Sequence, residues 1–163
     1  MRVQGVPAVV FAMMIAADPA RSQELAIDHA AVGCVVAERH PQLQARIDPA
    51  DGVARARVHF RTAADQPWYA VAMTAQGPAF TATLPRPKKT LESFQYYIEA
   101  TSRAFSTART PEHTAAVVGD GAGCQGMMAA GATGSTGMAS ILVEAPAGAP
   151  AVPAGFATTG VAA

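Results

Sequence analysis

From residue 26 to residue 118, apolar and polar positions take turns along the chain in short bursts separated by turn residues. A period of two places alternate side chains on opposite faces of a strand, so each burst predicts a strand with one buried face. Over residues 43–48 the inward set is Leu43, Ala45 and Ile47. Over 54–61 it is Ala54, Ala56, Val58 and Phe60, which turns Arg55, Arg57, His59 and Arg61 to the other face. Tyr69, Val71 and Met73 follow, then Phe80, Ala82 and Leu84. Phe94, Tyr96, Ile98 and Ala100 make the strongest strand of the series. Residues 114–118 predict a short last strand, and an opening strand falls within 27–36.

The separators have their own chemistry. Asp48-Pro-Ala-Asp-Gly52 combines a fixed φ at Pro49 with a glycine free to take positive φ. Gln76-Gly-Pro78 predicts a hairpin turn, and Asp65-Gln-Pro67 divides another pair. Pro85-Arg-Pro-Lys-Lys89 is excluded from a central strand, because proline has no donor for the ladder, and reads as a basic, solubilising edge cover. Helical spacing shows only faintly, near 90–95. About seven short strands in this span predict an all-β fold, a two-sheet antiparallel sandwich over residues 23–118.

The order of these strands resembles immunoglobulin-like or fibronectin type III-like domains of bacterial exported proteins. The likeness is carried by Ala-Arg-Val-His-Phe-Arg61, Trp68-Tyr-Ala-Val-Ala-Met73, Phe80-Thr-Ala-Thr-Leu-Pro85 and Phe94-Gln-Tyr-Tyr-Ile-Glu-Ala100, and covers residues 27–118. Its most specific part is the Tyr-Tyr-Ile-Glu-Ala strand after a proline-rich turn. The resemblance implies a spacer or adhesive module, and implies fold more firmly than function. The tryptophan-plus-disulfide pattern of antibody domains is missing: Trp68 begins a strand, and no cysteine sits on the Tyr96 strand.

Residues 1–22 read as a secretory signal peptide. Arg2 is the only charge before Asp18, and residues 6–17 form an apolar run of 12, too short to span a bilayer. Ala20-Arg-Ser22 predicts cleavage after Ser22, with Ala17 as the alternative. Ala31-Val-Gly-Cys34 has the outline of a lipoprotein box, but Glu24, Asp28 and His29 occupy the stretch that would have to be apolar. No later run is long and apolar enough to predict a transmembrane helix. In an exported chain the only two cysteines, Cys34 and Cys124, predict a disulfide, the alternative being two free thiols.

Composition adds two points. The formal net charge is zero, which argues against a nucleic-acid partner. Half of the residues are hydrophobic, but 38 are alanine, so each buries little area and the bridge would matter to a thin core. Beyond Val118 the character changes: residues 119–163 hold ten of the fourteen glycines and no lysine or arginine. They predict a flexible Gly/Ala/Pro-rich tail, with room for one extra strand at 139–144 and too few large apolar groups for a core of its own.

Candidate chemistry is sparse. Gly121-Ala-Gly-Cys-Gln-Gly126 matches a dinucleotide fingerprint by spacing, but more glycine follows where a helix is required, so no cofactor is expected. His29, His40, His59 and His113 lie in separate segments without metal-ligand spacing and read as solvated or turn histidines. Asp48 and Asp51 suit capping of their turn better than weak calcium binding, and no metal site is expected. Ser135 sits in Gly134-Ser-Thr-Gly137, which is not a nucleophile elbow. Glu92 and Glu99 are placed on opposite faces and cannot share acid–base work. The stripe Arg55, Arg57, His59 and Arg61 suits either an anionic polymer or cross-strand pairing with acids such as Glu99. Trp68 and Tyr97 suit either stacking on sugar rings or packing under a loop. The expectation is an exported, non-catalytic structural or protein-interaction module of the cell envelope. A carbohydrate-binding module is the first alternative, and an accessory domain of an extracytoplasmic hydrolase the second. A partner, protein or glycan, would engage a sheet edge or the strand around Ile141.

Overall fold

The computed structural model describes residues 24–133 and 140–162. The expected signal peptide at 1–22 and the Gly134-Ser-Thr-Gly137 segment lie outside the described residues. The described chain is all-β, with thirteen strands, several only two or three residues long. They are β1 (Ala26–Asp28), β2 (Cys34–Val36), β3 (His40–Asp48), β4 (Val53–Arg61), β5 (Tyr69–Ala72), β6 (Thr74–Gln76) and β7 (Ala79–Thr83). There follow β8 (Ser93–Ser102), β9 (Thr107–Arg109), β10 (His113–Val118), β11 (Gly131–Thr133), β12 (Ile141–Glu144) and β13 (Val161–Ala162). No helix forms near 90–95: residues 90–92 are turn and irregular, and β8 begins at Ser93, where Phe94 and Tyr96 share a buried face.

Two sheets face each other across one core. The smaller runs β1-β3-β7-β6, with β11 also on β3; the larger runs β13-β12-β5-β4-β8-β10-β2, with β9 also on β8. Period two does the sorting: Leu43, Ala45, Ile47, Phe80, Ala82 and Leu84 meet Ala56, Val58, Phe60, Val71, Phe94, Tyr96, Ile98 and Ala100 in a single cluster. Ala54 departs from its expected inward place and is exposed. The β4–β8 register shifts between Val53 and Arg55, and the extra residue of this bulge is turned out while Val53 packs on the core. The pairing is not wholly antiparallel either: β2 runs parallel to β10, and β13 parallel to β12. The expected opening strand is split in two, β1 on the smaller sheet and β2 on the larger, so the chain crosses between sheets at 29–33.

The segment after Val118 contributes to this core. β12 pairs with β5, and Phe156 is buried with its ring 5.2 Å from that of Phe60 and 5.5 Å from that of Phe94. Its backbone docks on the proline-rich turn: Lys88 N–H donates to Gly155 O at 2.8 Å, and Ala157 N–H donates to Arg86 O at 2.8 Å. Gly155 has φ +88, and a Cβ there would come within 2.9 Å of Leu91, so only glycine lets the segment close down on the turn. Pro85 and Pro87 are thereby fully buried, and of the expected basic edge cover only Lys88 and Lys89 are exposed.

A disulfide joins Cys34 of β2 to Cys124, with 5.6 Å between Cα atoms. The sulfur that a lipid anchor would need is therefore in the bridge. The glycine motif around Cys124 is a short 3-10 turn, Gly121–Cys124, whose Asp120 carboxylate accepts from the Ala122 and Gly123 N–H groups. A Cβ on Gly123 would lie 2.8 Å from that of Val118, so this glycine serves close packing of the turn on β10. Among the described residues no helix is long and apolar enough to cross a membrane.

Candidate functional site

The outer face of the larger sheet gathers most of the residues singled out by sequence. Register sets them side by side: on β4 and β8, Arg57 faces Glu99, His59 faces Tyr97 and Arg61 faces Gln95. Arg57 lies between two carboxylates, 3.2 Å from Glu99 on β8 and 2.9 Å from Glu144 on β12. On the intervening β5 the residue opposite Arg57 is Ala72 and the residue opposite Glu144 is Ala70, so two small side chains lie between the guanidinium and the Glu144 carboxylate. Burial disfavours its charge, but the bonds to Glu144 and Glu99 outweigh that and hold its pKa above the ordinary value.

Arg61 is held as firmly. Its Nε donates to Gln95 at 2.9 Å, its Nη1 to Ala64 O at 2.8 Å and its Nη2 to Glu112 at 3.3 Å. Its guanidinium also lies 4.1 Å from the centre of the Trp68 ring. Glu112 in turn accepts from Arg109 at 2.7 Å. Arg55 is exposed and makes no side-chain hydrogen bond or ion pair among the described residues.

Tyr97 is the centre of this surface, and it is buried rather than exposed. His59 stacks on it from the β4 side with ring centroids 4.6 Å apart and planes 3° from parallel. Arg109 reaches over it from β9, on the other edge of β8, at 3.6 Å from the ring centre, and Trp68 meets it edge-on at 4.7 Å. The ring has no open face to offer a sugar. Trp68 is half-buried, with Arg61 over it. Burial pushes the Tyr97 phenol up, against an opposing pull from Arg109. It pushes the His59 imidazole down, with Glu99 pulling the other way. His59 Nε2 is buried without a hydrogen-bond partner, its nearest acid oxygen being that of Glu99 at 3.6 Å.

The other histidines are also sheltered. His40 is buried and its Nδ1 donates to Leu84 O at 3.0 Å. His29 crosses between the sheets: Nδ1 donates to Gln44 O at 2.8 Å, and Nε2 lies 2.9 Å from the Tyr96 hydroxyl. With Nδ1 carrying the proton of a neutral ring, Nε2 accepts from that hydroxyl, which itself accepts from Val32 N–H at 2.6 Å. Burial, resisted by the bond to Gln44, lowers the His29 pKa, with His113 nearby adding to the fall. Burial pushes the Tyr96 phenol up to about 12.

Glu112, Arg109 and Glu144 are not singled out by spacing: Arg109 ends β9, Glu112 lies in the connection to β10 and Glu144 ends β12, and the sheet assembly brings them beside β4 and β8. The nearest sequence signal for any of them was the alternation that put Arg57, His59 and Arg61 on one face. Among the described residues no three His, Cys, Asp or Glu side chains are grouped to hold a metal ion. Asp48 ends β3 and Asp51 lies within the short 3-10 turn Ala50–Gly52, whose start has no side-chain cap, so the expected capping by these aspartates is not seen; Glu92 is exposed ahead of β8, away from Glu99. No family model matches the chain, and no curated protein does.

Proposed function

We propose that the chain is an exported immunoglobulin-like module with a structural or protein-interaction role at the cell envelope and no catalytic chemistry. The observation that carries this reading is the mutual engagement of the polar face: Arg57 between Glu99 and Glu144, and Tyr97 between His59 and Arg109. A face whose charges and rings are bound to one another locks strands together, and it leaves no acid, base and nucleophile converging on a vacant position.

Strand order supports the family reading. β1-β3-β7-β6 against β4-β8-β10 has the layout of the A-B-E-D and C-F-G strands of immunoglobulin sandwiches. The bridge departs from that pattern, because it ties β2 to the turn after β10 and does not join the two sheets through their centres. A disulfide is what an oxidising compartment allows, which supports export.

The test is to express the full chain, fractionate the cells and trap thiols with an alkylating reagent. The expected result is protein outside the cytoplasm, with its N-terminus after Ser22 and both cysteines inert until reduced. Cytoplasmic retention with Met1 intact and two alkylatable thiols would overturn export. Glycan-array binding that is abolished by Trp68→Ala would overturn the structural reading in favour of carbohydrate recognition.

A further inference from the structure

Where the chain changes sheets, at 29–33, one side chain ties the crossing to both of them. His29 Nδ1 donates to Gln44 O of β3 at 2.8 Å, and Nε2 lies 2.9 Å from the Tyr96 hydroxyl of β8. The same hydroxyl accepts from Val32 N–H at 2.6 Å and lies 3.3 Å from Val32 O. β1 itself pairs with β3 through only three residues, two of them exposed. Its place on the β3 edge therefore depends on the bonds of His29 and on the buried side chains of Leu25 and Val32 to either side.

This bonding suits a neutral imidazole. A carbonyl can only accept, so Nδ1 carries a hydrogen in either protonation state. In the neutral ring Nε2 accepts the single phenol hydrogen. In the charged ring Nε2 becomes a donor, and the phenol hydrogen has to turn to Val32 O at 3.3 Å, a longer contact than the one it leaves. The surroundings oppose the charge as well. His113 of β10 faces Tyr96 in register, and its ring is 5.6 Å from that of His29. The carboxylate of Asp28, on β1, favours the charge, but Arg46 of β3 stands opposite it. β9 also lies beside β1, with its Arg109 turned to the outer face over Tyr97. Burial outweighs the help of Gln44 and Asp28, and the His29 pKa lies below its ordinary value. Protons still have a path to the ring. β1 covers β3 only at 46–48 and β11 only at 40–42, and a cleft of about 430 Å³ between them is lined by His29 together with Gln44, Arg46 and Met128.

We propose that His29 is a proton-operated latch, whose protonation releases residues 24–32 from the β3 edge while the rest of the sandwich stays folded. The opening stops at Gly33, whose N–H donates to Met128 O at 3.0 Å and whose O accepts from Ala116 N–H at 2.9 Å. Beyond it the Cys34–Cys124 bridge fixes β2. Release uncovers the edge of β3 from Gln44 to Asp48, a row of backbone groups able to pair with another strand. In the open form His29 is solvated and titrates near 6.5, above its value in the closed form, so acid favours opening.

Native-state hydrogen exchange of the full chain between pH 7.5 and 5, corrected for the intrinsic pH dependence of amide exchange, tests this. Amides of 24–32 are expected to exchange through an opening separate from, and easier than, that which exposes β8. The opening constant is expected to rise below pH 6.5, by at most about tenfold per pH unit. His29→Gln keeps an amide donor and acceptor without the proton site, and its opening is expected to be independent of pH. An NMR titration of the wild-type His29 ring, which needs no variant, is expected to give a midpoint below 6.5. His113→Gln removes a neighbouring cation and is expected to raise that midpoint. Protection of 24–32 equal to that of β8 overturns the proposal. So does an opening constant that does not change with pH, a rise just as steep in His29→Gln, or a His29 midpoint at or above 6.5.

Discussion

The imidazole of His59 lies flat against the phenol of Tyr97, the planes within 3° of parallel and the centroids 4.6 Å apart. The pair comes from directly opposed positions of β4 and β8, where side chains on one face stand close enough for ring contact. Stacking supplies dispersion but no hydrogen bond, so His59 Nε2 remains unpaired and the ring favours its neutral form.

That preference predicts a pH dependence of stability. His29 and His59 both have pKa values below the ordinary 6.5, chiefly because burial disfavours the charged ring. The unfolded chain therefore binds protons more readily than the folded one as the solution is acidified. Their contribution is complete above pH 6.5 and is lost as pH falls from 6.5 through the depressed folded values. His59→Phe keeps a ring against Tyr97 and removes the proton site. Urea midpoints between pH 7.5 and 5 are expected to fall less steeply for this variant than for wild type. Parallel slopes would refute a role for His59.

All three tyrosines, Tyr69, Tyr96 and Tyr97, have phenol pKa values raised by burial, Tyr96 to about 12. The unfolded phenols ionise first, so stability is full below pH 10 and falls as pH climbs from 10 towards 12. Absorbance at 295 nm should show little tyrosinate at pH 10 in the native protein. In urea about half of the phenols should be ionised at that pH. A native titration midpoint at 10 would show that these rings are solvated.

Phe156 is expected to behave as a central core residue despite its place near the end of the sequence. Its ring packs against those of Phe60 and Phe94. Phe156→Ala should cost about 3–5 kcal/mol by leaving a cavity between the aromatic rings. Equilibrium urea unfolding measures this, and a loss below about 1 kcal/mol would mean that the 146–157 segment is dispensable.

The Cys34–Cys124 bridge closes a separation of 90 residues. On the chain-entropy model a loop of this size stabilises by about 4–5 kcal/mol. The double variant Cys34→Ala/Cys124→Ala should lose that amount relative to the oxidised protein, and added reductant should no longer affect it. A reductant-insensitive wild-type protein would contradict the assignment.

Strand positions were legible from residue order because a half-buried strand imposes a local rule, alternation, on its own side chains. Leu43, Ala45, Ile47, Phe94, Tyr96, Ile98 and Ala100 all follow it and are buried. Ala54 broke the rule because one extra residue against β8 reverses parity, and nothing in the local pattern marks where a bulge will fall. The paired face was half legible: alternation placed Arg57 and Glu99 on opposed strands, while Glu144 and Arg109 arrive through partners chosen by sheet assembly. For Tyr97 alternation left two outcomes open, a ring free to stack on a sugar or a ring packed under its neighbours, and the packed one is observed. Outward on a strand means exposed only when neighbouring strands bear small residues, and here His59, Trp68 and Arg109 close over it.

Residue order by itself determined the all-β class, the inward sets of the central strands and the pairing of the only two cysteines, because each depends on local periodicity or on a count. Tertiary structure alone decided that Phe156 completes the core, that β12 takes the edge beside β5, that Tyr97 is enclosed, and that a cleft opens between β1 and β11. Those outcomes depend on which distant segments compete for the same apolar surface and the same free strand edge, and that competition is settled only when the whole chain has packed.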